Sequence, residues 1–486
     1  MNHAKLMLAL LVSAVMFGLA GNAVAHEQHR CVKGFPDRPV LDGHLEQHSI
    51  VSSRADLGDV FAHGGALFAA SFNVCDGQGR PATTGAGAKR QIGQPSFSRL
   101  SGPDANSCAG CHNEPFVGGA GDFVANVFVL AQAADPVVTS TDAQFSNNRN
   151  SLGMFGSGPV EMLAREMSVE LQTQAAALPD GVHTLQSKGV SFDIVKVGGV
   201  VVEAKGIDTD LIVKPFHQAG VVTSLREFST NAMNHHHGMQ AEERFDLNPS
   251  KNFDGDFDED GVYRELTVGD ITAVTLWQAQ LATPVQVVEG SDAFKRRVAL
   301  GEKWFDKVGC SGCHTPEMHL TAREFVEPNP FNPPGTCSDT SVCPSVAFDM
   351  TTTGQGARLE PTPDGGAVVR AYTDLKRHNL CDPEDRPDAI RHYCNEQLAQ
   401  GRPDQDGRPG TEFFLTRKLW DVGNSAPYGH RGDLTTIADA IYAHGGEARE
   451  VRDRFAGLSA ARQLMVVDFL RTLQVQLPDE TAGEAD

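Results

Sequence analysis

Basic residues and tryptophans are both scarce in this chain. It has 41 lysines and arginines against 62 aspartates and glutamates, a formal net charge of −21, and only 3 tryptophans among 486 residues. An acidic balance of this size argues against nucleic acid or an anionic membrane surface as a partner. It would suit a small basic protein, although exported proteins without such a partner are often acidic too.

Long hydrophobic runs are absent beyond the amino terminus. Residues 1–25 combine Lys5, an apolar run over 6–19 and the small-residue site Ala23-Val24-Ala25, a pattern typical of a secretory signal peptide. The alternative is a membrane anchor, but the run is short for a span of roughly 20 residues. We therefore expect export to the periplasm and no membrane span after the signal is removed.

The ten cysteines fall into two groups. Four belong to two C-x-x-C-H motifs, at 108–112 and 310–314. An even remainder of six in an exported chain suggests three disulfides. Proximity in the sequence favours the pairs Cys31–Cys75, Cys337–Cys343 and Cys381–Cys394.

Each C-x-x-C-H motif is typical of c-type haem attachment. The spacing places two sulfurs along one edge of a porphyrin, and the following histidine reaches the iron. A zinc site would gather four ligands from paired C-x-x-C units, and a thioredoxin-like pair would not need the trailing histidine twice. The motifs predict two covalently bound haems, held by Cys108, Cys111 and His112 and by Cys310, Cys313 and His314.

Hydrophobic periodicity predicts a mainly α chain. Helical patterns cover 56–72, the region around Pro159, 291–308, 434–444 and 458–473, and Thr267 is expected to cap a further helix with Asp270. Alternation over 190–194, with apolar triplets at 200–202 and 211–213, predicts a small β insertion. Since the phase slips after Ile194, a bulge or strand end is expected there.

These patterns predict two cytochrome c-like haem domains separated by a β-containing insertion. The expected boundaries are a signal peptide at 1–25, an N-terminal haem domain at 26–180, an insertion with linker helices and an acidic loop at 181–285, a C-terminal haem domain at 286–477 and an acidic tail at 478–486.

Several longer motifs resemble a known family, the dihaem oxidoreductase (putative peroxidase) branch of the bacterial dihaem cytochrome c peroxidase superfamily. They include the first haem motif with Ser107 and Asn113, and the segments at 206–211, 236–240, 265–270, 427–432 and 440–448. The resemblance implies one six-coordinate haem that stores an electron and a second haem that activates peroxide. The superfamily commonly places a tryptophan between the haems, whereas this chain has none between Cys111 and Trp277.

The resemblance also suggests axial and distal residues. A methionine ligand in the peroxidases matches His444, so we expect His314 and His444 to ligate the C-terminal haem iron, unless His444 merely caps its helix. A histidine in place of methionine should lower the reduction potential. Peroxide cleavage needs an acid–base group beside an accessible iron. The candidates are Glu161, Glu166 and, within the triple 235–237, His236, for which the alternative is a place in a domain interface.

An acidic loop at 254–265 is a candidate calcium site. Two registers of an EF-hand-like pattern fit the loop, but neither is complete. Closely spaced carboxylates repel one another, and Ca²⁺ would relieve this; the alternative is a solvated acidic loop. The candidate ligands are Asp254, Asp256, Asp258, Asp260 and Glu265.

The sequence therefore favours a periplasmic dihaem oxidoreductase that reduces hydrogen peroxide with electrons from a small donor protein, a cytochrome c or a cupredoxin. Two alternatives stay open at this point. One is a non-enzymatic electron-transfer cytochrome, and the other is a dihaem oxidase or oxygenase acting on an organic or protein substrate.

Overall fold

The computed structural model describes residues 38–41, 43–52, 55–78, 105–121, 124–127, 147–245, 262–340, 343–394 and 412–476. The expected signal peptide, Cys31, the four aspartates of the acidic loop and the acidic tail lie outside these residues. Within the described ranges, no helix combines the length and the apolar character needed to span a bilayer.

Helices dominate the described part of the chain, as predicted, and the strands form small separate sheets. The helices are α1 Gln47–Val51, α2 Leu57–Ala69, α3 Ser157–Ala177, α4 Leu225–Ala232, α5 Glu242–Phe245, α6 Val268–Ala279, α7 Asp292–Val308, α8 Ile437–Tyr442, α9 Arg449–Ala456 and α10 Ala460–Arg471. The strands are β1 Val124–Val127, β2 Asn147–Asn150, β3 Gly181–Ser187, β4 Val190–Val197, β5 Val200–Ala204, β6 Val285–Gln286, β7 Met318–Leu320, β8 Glu324–Glu327, β9 Val346–Asp349, β10 Glu360–Pro361, β11 Ala367–Val369, β12 Arg377–Asn379, β13 Phe413–Leu415 and β14 Leu473–Gln474.

Side-chain caps fix where several helices begin. Thr267 and Asp270 form the predicted capping box at α6, each side chain accepting from the other's backbone N–H. Asp56 caps α2, and Ser291 caps α7 by accepting from the Phe294 N–H. The helix starts expected near these residues are therefore confirmed.

Three apolar cores are present in the described residues, and the two largest support most of the fold. The larger is built by α2, α3 and α6 and also receives apolar residues from β7, β8, β9 and β11. The smaller is aromatic and lies between α7, α9 and α10, with Phe305, Phe455 and Phe469 fully buried or nearly so. Residues 318–371 thus pack largely on the first core, although they follow the second haem motif in sequence. The proposed division into domains stays a prediction.

Glycines allow two helix pairs to meet backbone to backbone. A Cβ on Gly64 of α2 would lie 2.1 Å from the Ala273 carbonyl oxygen of α6. A Cβ on Gly301 of α7 would lie 1.9 Å from the Met465 carbonyl oxygen of α10. Any larger residue at either position would force the paired helices apart.

The β insertion is an antiparallel sheet in the order β3-β4-β5. A register shift is present at Val195/Lys196, but the extra residue, Val202, lies on β5. The β4 strand itself keeps its phase, because Lys196 takes the buried position and its Nζ donates to the carbonyls of Ala175 and Leu178. The strand predicted at 211–213 is wrong: Leu211 adopts φ +58° and the segment pairs with no strand in the described chain.

The disulfide predictions are confirmed for Cys337–Cys343 and Cys381–Cys394. Cys75 is disulfide-bonded as well. Because Cys31 lies outside the described residues, its pairing with Cys75 stays a prediction.

Candidate functional site

The two C-x-x-C-H motifs open into one cavity of about 470 Å³. Each motif forms a single 3₁₀ turn, Cys108–Gly110 and Cys310–Gly312, and the second turn follows directly on the end of α7 at Gly309. The cavity is lined by all four motif cysteines and by both motif histidines. The fold therefore brings together two motifs that are about 200 residues apart in the sequence.

Both motif histidines are oriented by backbone carbonyls. His112 Nδ1 lies 3.3 Å from the Gly119 oxygen, and His314 Nδ1 lies 3.1 Å from the Tyr372 oxygen. A ring that donates through Nδ1 keeps the lone pair on Nε2, which is how iron-ligating histidines are commonly held. Burial lowers the pKa of both His112 and His314 to about 4, so each stays neutral near pH 7.

The motif cysteines differ from the other described cysteines because they are not joined by disulfides. Cys108, Cys111, Cys310 and Cys313 form no disulfide. Burial raises the pKa of Cys108 and of Cys310 to about 12, so neither thiol is activated as a thiolate. The set fits thioether attachment of a haem better than thiol redox chemistry or thiolate binding of a metal.

A second imidazole accompanies each motif histidine. His444 follows α8, donates through Nδ1 to the Ala440 carbonyl at 2.8 Å and lines the cavity; its charge would lower the pKa of His314. His236 lies in the π-helical turn Met233–His237, lines the same cavity and lowers the pKa of His112 in the same way. The structure thus places His444 near His314 and His236 near His112.

His237 has a different place from its neighbour. Its Nδ1 lies 2.6 Å from the Ala105 carbonyl and its Nε2 lies 3.2 Å from Cys108 Sγ. It therefore contacts a cysteine of the first motif, whereas His236 remains the candidate of the triple for an acid–base or ligand role.

The two glutamates predicted as acid–base groups are elsewhere. Glu161 is fully buried outside the cavity lining, where its carboxylate accepts from the Arg165 side chain, the Asn329 side chain and the Leu225 N–H. Glu166 binds Lys188 and the backbone of Thr321. Their positions do not support the predicted acid–base role, because each carboxylate joins α3 to another part of the chain.

Sequence reasoning missed one wall of the cavity, where the cations Arg417 and Lys418 lie beside the carboxylate of Asp421. Lys418 Nζ donates to Asp421 at 2.7 Å, and an Arg417 amino group lies 3.5 Å from the same carboxylate. Burial lowers the pKa of Lys418 to about 8. Two cations therefore share one carboxylate, and the surplus positive charge suits the propionates of a haem.

Arg417 also links the two motifs. Its side chain lines the cavity and is close enough to His112 to lower the pKa of that ring, while its backbone carbonyl acts on His314. No periodicity or motif singles out this residue; a signal in the sequence would have been the adjacent cations Arg417-Lys418 within an otherwise acidic chain.

His378 provides a further positive charge beside the second motif. Its ring lies 2.9 Å from a Glu447 oxygen and 3.0 Å from an Asp374 oxygen. Although burial opposes it, the hydrogen bond to Asp374, with contributions from Cys313 and Glu447, raises the pKa of His378 to about 12. Cys313, Asp374 and His378 are close enough to hold a metal ion, but the two ion pairs account for the histidine.

None of the three tryptophans lines the cavity. Trp277 packs on Phe68 with ring centroids 4.5 Å apart, and Trp420 is buried against Gly156. Trp304 lies on the outer side of α7 beside Lys307. All three are packed aromatics in this structure.

Only Glu265 of the predicted calcium ligands is among the described residues. It is buried, and its Oε2 accepts from the Gln240 N–H at 2.8 Å. The calcium site stays a prediction.

Comparisons with known proteins give one family match. Residues 376–473 match the model of the family described as "Di-haem oxidoreductase, putative peroxidase". This segment carries Arg417, His430 and His444. No curated protein matches the chain.

Two solved structures are distantly similar. Hydrazine synthase of Kuenenia stuttgartiensis, pressurised with 20 bar xenon, is 12% identical, with a TM-score of 0.38 over 91% of this chain and 97% of its own. A MauG-like protein associated with microbial copper homeostasis is 15% identical, with a TM-score of 0.27 over 65% of this chain and 89% of its own. Scores this low establish no shared fold.

The family match accounts for haem as the cofactor, and the cavity residues fit it. The resemblance recognised from the sequence motifs is thus confirmed: over residues 376–473 this chain matches the family of di-haem oxidoreductases.

Proposed function

We propose that this chain is a periplasmic dihaem c-type oxidoreductase that reduces hydrogen peroxide with electrons from an external donor protein. The observation that carries the proposal is the single cavity lined by both C-x-x-C-H motifs, in which each motif histidine is accompanied by a second imidazole. Covalent haems would be held by the four motif cysteines, with His112 and His314 as axial ligands and His444 as the second ligand of the C-terminal haem.

Reduction of H₂O₂ to two waters consumes two electrons and two protons. Bound haem would supply one-electron redox chemistry at each site, so two haems match the electron count. The chain itself must move the protons and exclude bulk water. His236 is the group we assign to the first task, because it lines the cavity on the side of His112 and a neutral imidazole both accepts and returns a proton.

The surroundings of His236 suit a small polar oxidant. Apolar side chains of Met154, Val160 and Val274 line the same cavity as His236. Gln278 also lines the cavity, with its amide Nε2 donating to Ser229 Oγ at 2.6 Å. A second hydrogen bond, from the same Nε2 to the Val274 carbonyl at 3.1 Å, also holds the amide in place.

One observation favours a second candidate, the non-enzymatic electron carrier. His236 is placed toward His112 as His444 is placed toward His314, so His236 as a permanent iron ligand would make both haems six-coordinate. The two candidates differ in what removing His236 does.

The test compares His236→Ala, His444→Ala and the exposed-residue control His319→Ala by optical and EPR spectra and by peroxide consumption. For a peroxidase, the half-reduced wild-type protein has a high-spin haem and consumes peroxide. His236→Ala then slows consumption by about 10²-fold or more, as expected for loss of a general acid–base. His444→Ala converts the other haem from low to high spin.

The opposite pattern would favour the carrier. In that case the half-reduced wild-type protein is entirely low-spin and inert to peroxide, and His236→Ala creates a high-spin haem. Oxygen consumption with an organic substrate, without any reaction with peroxide, would instead favour the oxidase alternative.

A further inference from the structure

The outer face of α7 is basic in an acidic protein. Arg296, Lys303 and Lys307 are exposed and recur at helical spacing with Leu300 and Trp304, so the five side chains share one face. Leu300 is 43% exposed. Glu302 and Asp306 fall on its other flank at this spacing, and Asp292 lies one turn before Arg296, at the amino end of the helix.

Helix α10 extends this face, because it packs against α7 through Gly301. It contributes Arg462, whose guanidinium lies 4.5 Å from the Trp304 ring centroid, and Leu464, which is 47% exposed. Lys307 Nζ lies 4.7 Å from the same ring. Trp304 is thus held between two cations. We call Arg296, Leu300, Lys303, Trp304, Lys307, Arg462 and Leu464 together the α7–α10 patch.

The patch adjoins the second haem motif. Trp304 is next in sequence to Phe305, which lines the cavity with its ring 6.3 Å from the His314 ring. Beyond Lys307, the chain passes through Gly309 to Cys310, and Arg454 donates to the Val308 carbonyl at 2.7 Å. The same short stretch of chain therefore faces solvent on one side and the C-terminal haem site on the other.

Acidic groups are present at the margin of the patch but not within it. Asp306 accepts from Ser311 Oγ at 2.6 Å, and Glu450 lies 3.8 Å from Arg454. An apolar centre with charged residues around it is the usual composition of a transient protein interface, in which the charges set the partner's sign and the association rate.

We propose that the α7–α10 patch is the docking site for a small acidic one-electron donor protein. The donor loses one electron and the ferric C-terminal haem gains it, twice for each peroxide reduced. The inference deepens the proposed function and rests on it. It differs from the expectation of a basic partner, because the net charge of −21 describes the whole surface and not the face at the haem.

The test is stopped-flow reduction of the dihaem protein by two pre-reduced donors, an acidic cupredoxin and a basic cytochrome c, across a range of salt concentrations. The variant is Lys303→Glu/Lys307→Glu. The matched control is Lys295→Glu/Lys205→Glu, which has the same change in net charge but uses exposed lysines off the patch. We expect the acidic donor to react faster with wild type, and its rate constant to fall about tenfold in the patch variant and little in the control.

Salt should slow the acidic donor with wild type and affect the patch variant much less. Equal effects of the two double variants, or faster reduction of wild type by the basic donor at low salt, would overturn the proposal. Dithionite reduction of each variant checks that the haem remains accessible and intact. Because these rates are measured without peroxide, failure of the docking site and failure of the peroxidase proposal give separate results.

Discussion

The two haem sites are built in different ways. The C-terminal site lies on a single small core. Helix α7 comes directly before its motif, and helices α8 to α10, which follow one another closely, come much later in the sequence. The N-terminal site is assembled from α2, the motif turn, the start of α3, the π-helical turn and α6. Aromatic packing supports the first of these sites, whereas buried ions support the second.

The ionic support of the N-terminal site centres on Arg226. This guanidinium is fully buried and binds both oxygens of Glu243, at 2.6 to 3.1 Å, and Glu327 Oε1 at 3.1 Å. Glu161 and Arg165 lie in the same region and tie α3 to the start of α4. The buried carboxylates around Arg226 should make the stability of the N-terminal region depend on pH, and the His378 ion pairs should do the same beside the C-terminal motif, whereas the ring contacts of Phe305 should not.

The largest effect is expected from Phe305→Ala. Phe305 is buried and contacts the rings of His314, Tyr372 and Phe469 at centroid distances of 5.6 to 6.3 Å. Its loss should destabilise the C-terminal site by about 3–5 kcal/mol, with little dependence on pH. Denaturant unfolding followed by haem absorbance measures this, and Phe116→Ala, which removes an exposed ring, should change stability by less than about 0.5 kcal/mol. Equal effects of the two variants would contradict the contrast.

The second prediction concerns pH. Burial, with Glu161 nearby and despite Arg226, raises the pKa of Glu327 from 4.5 to about 7. A carboxyl group whose pKa is raised in the folded state stabilises the folded protein at pH values below its unfolded-state pKa. This contribution is lost as the pH rises from about 4.5 to about 7. Glu327→Gln should therefore lose less stability than wild type between pH 4 and pH 8, by about 1–3 kcal/mol. Unfolding midpoints at both pH values test this, with the exposed Glu324→Gln on the same strand as control. Equal losses of stability in Glu327→Gln and wild type would refute it.

The third and smallest effect concerns Arg417, the residue that serves both sites. Removing its charge in Arg417→Gln should lower the midpoint potential of the N-terminal haem by roughly 60 mV, a factor of ten in the one-electron equilibrium constant. Arg417→Lys keeps the charge and should restore most of the shift. Spectropotentiometric titration separates the two haems, and the exposed Arg370→Gln serves as control. If Lys and Gln variants shift alike, the residue acts through packing and not through charge.

Sequence reasoning predicted what depends on local pattern. The cap at Thr267, the amphipathic α7 and two disulfides follow from residues a few positions apart. The role of Lys196 could not be predicted in this way. Its buried ammonium group is hydrogen-bonded by carbonyls at the end of α3, which lie close to it only in the folded structure. The slip that we inferred after Ile194 was this lysine occupying an apolar position.

The candidate site shows the same difference between features that local sequence patterns predict and features that depend on the tertiary structure. The motif histidines and His444 were identified from their motifs, and the fold brings them to one cavity. Glu161 was chosen for its separation from the first motif, but separation in sequence does not determine which way a helical side chain points. Arg417 was missed because its importance comes from a position between two sites that only the tertiary structure defines.

The contact at Gly301 has a mechanical consequence. At this crossing the backbone of α7 contacts the backbone of α10 directly, and no side chain lies between them. Sliding or rotation of one helix against the other would cost van der Waals contact along the whole crossing. The solvent-facing and cavity-facing sides of α7 should therefore move together as one rigid unit. The rate of electron entry at α7 should then depend on how often a donor arrives and not on a conformational change.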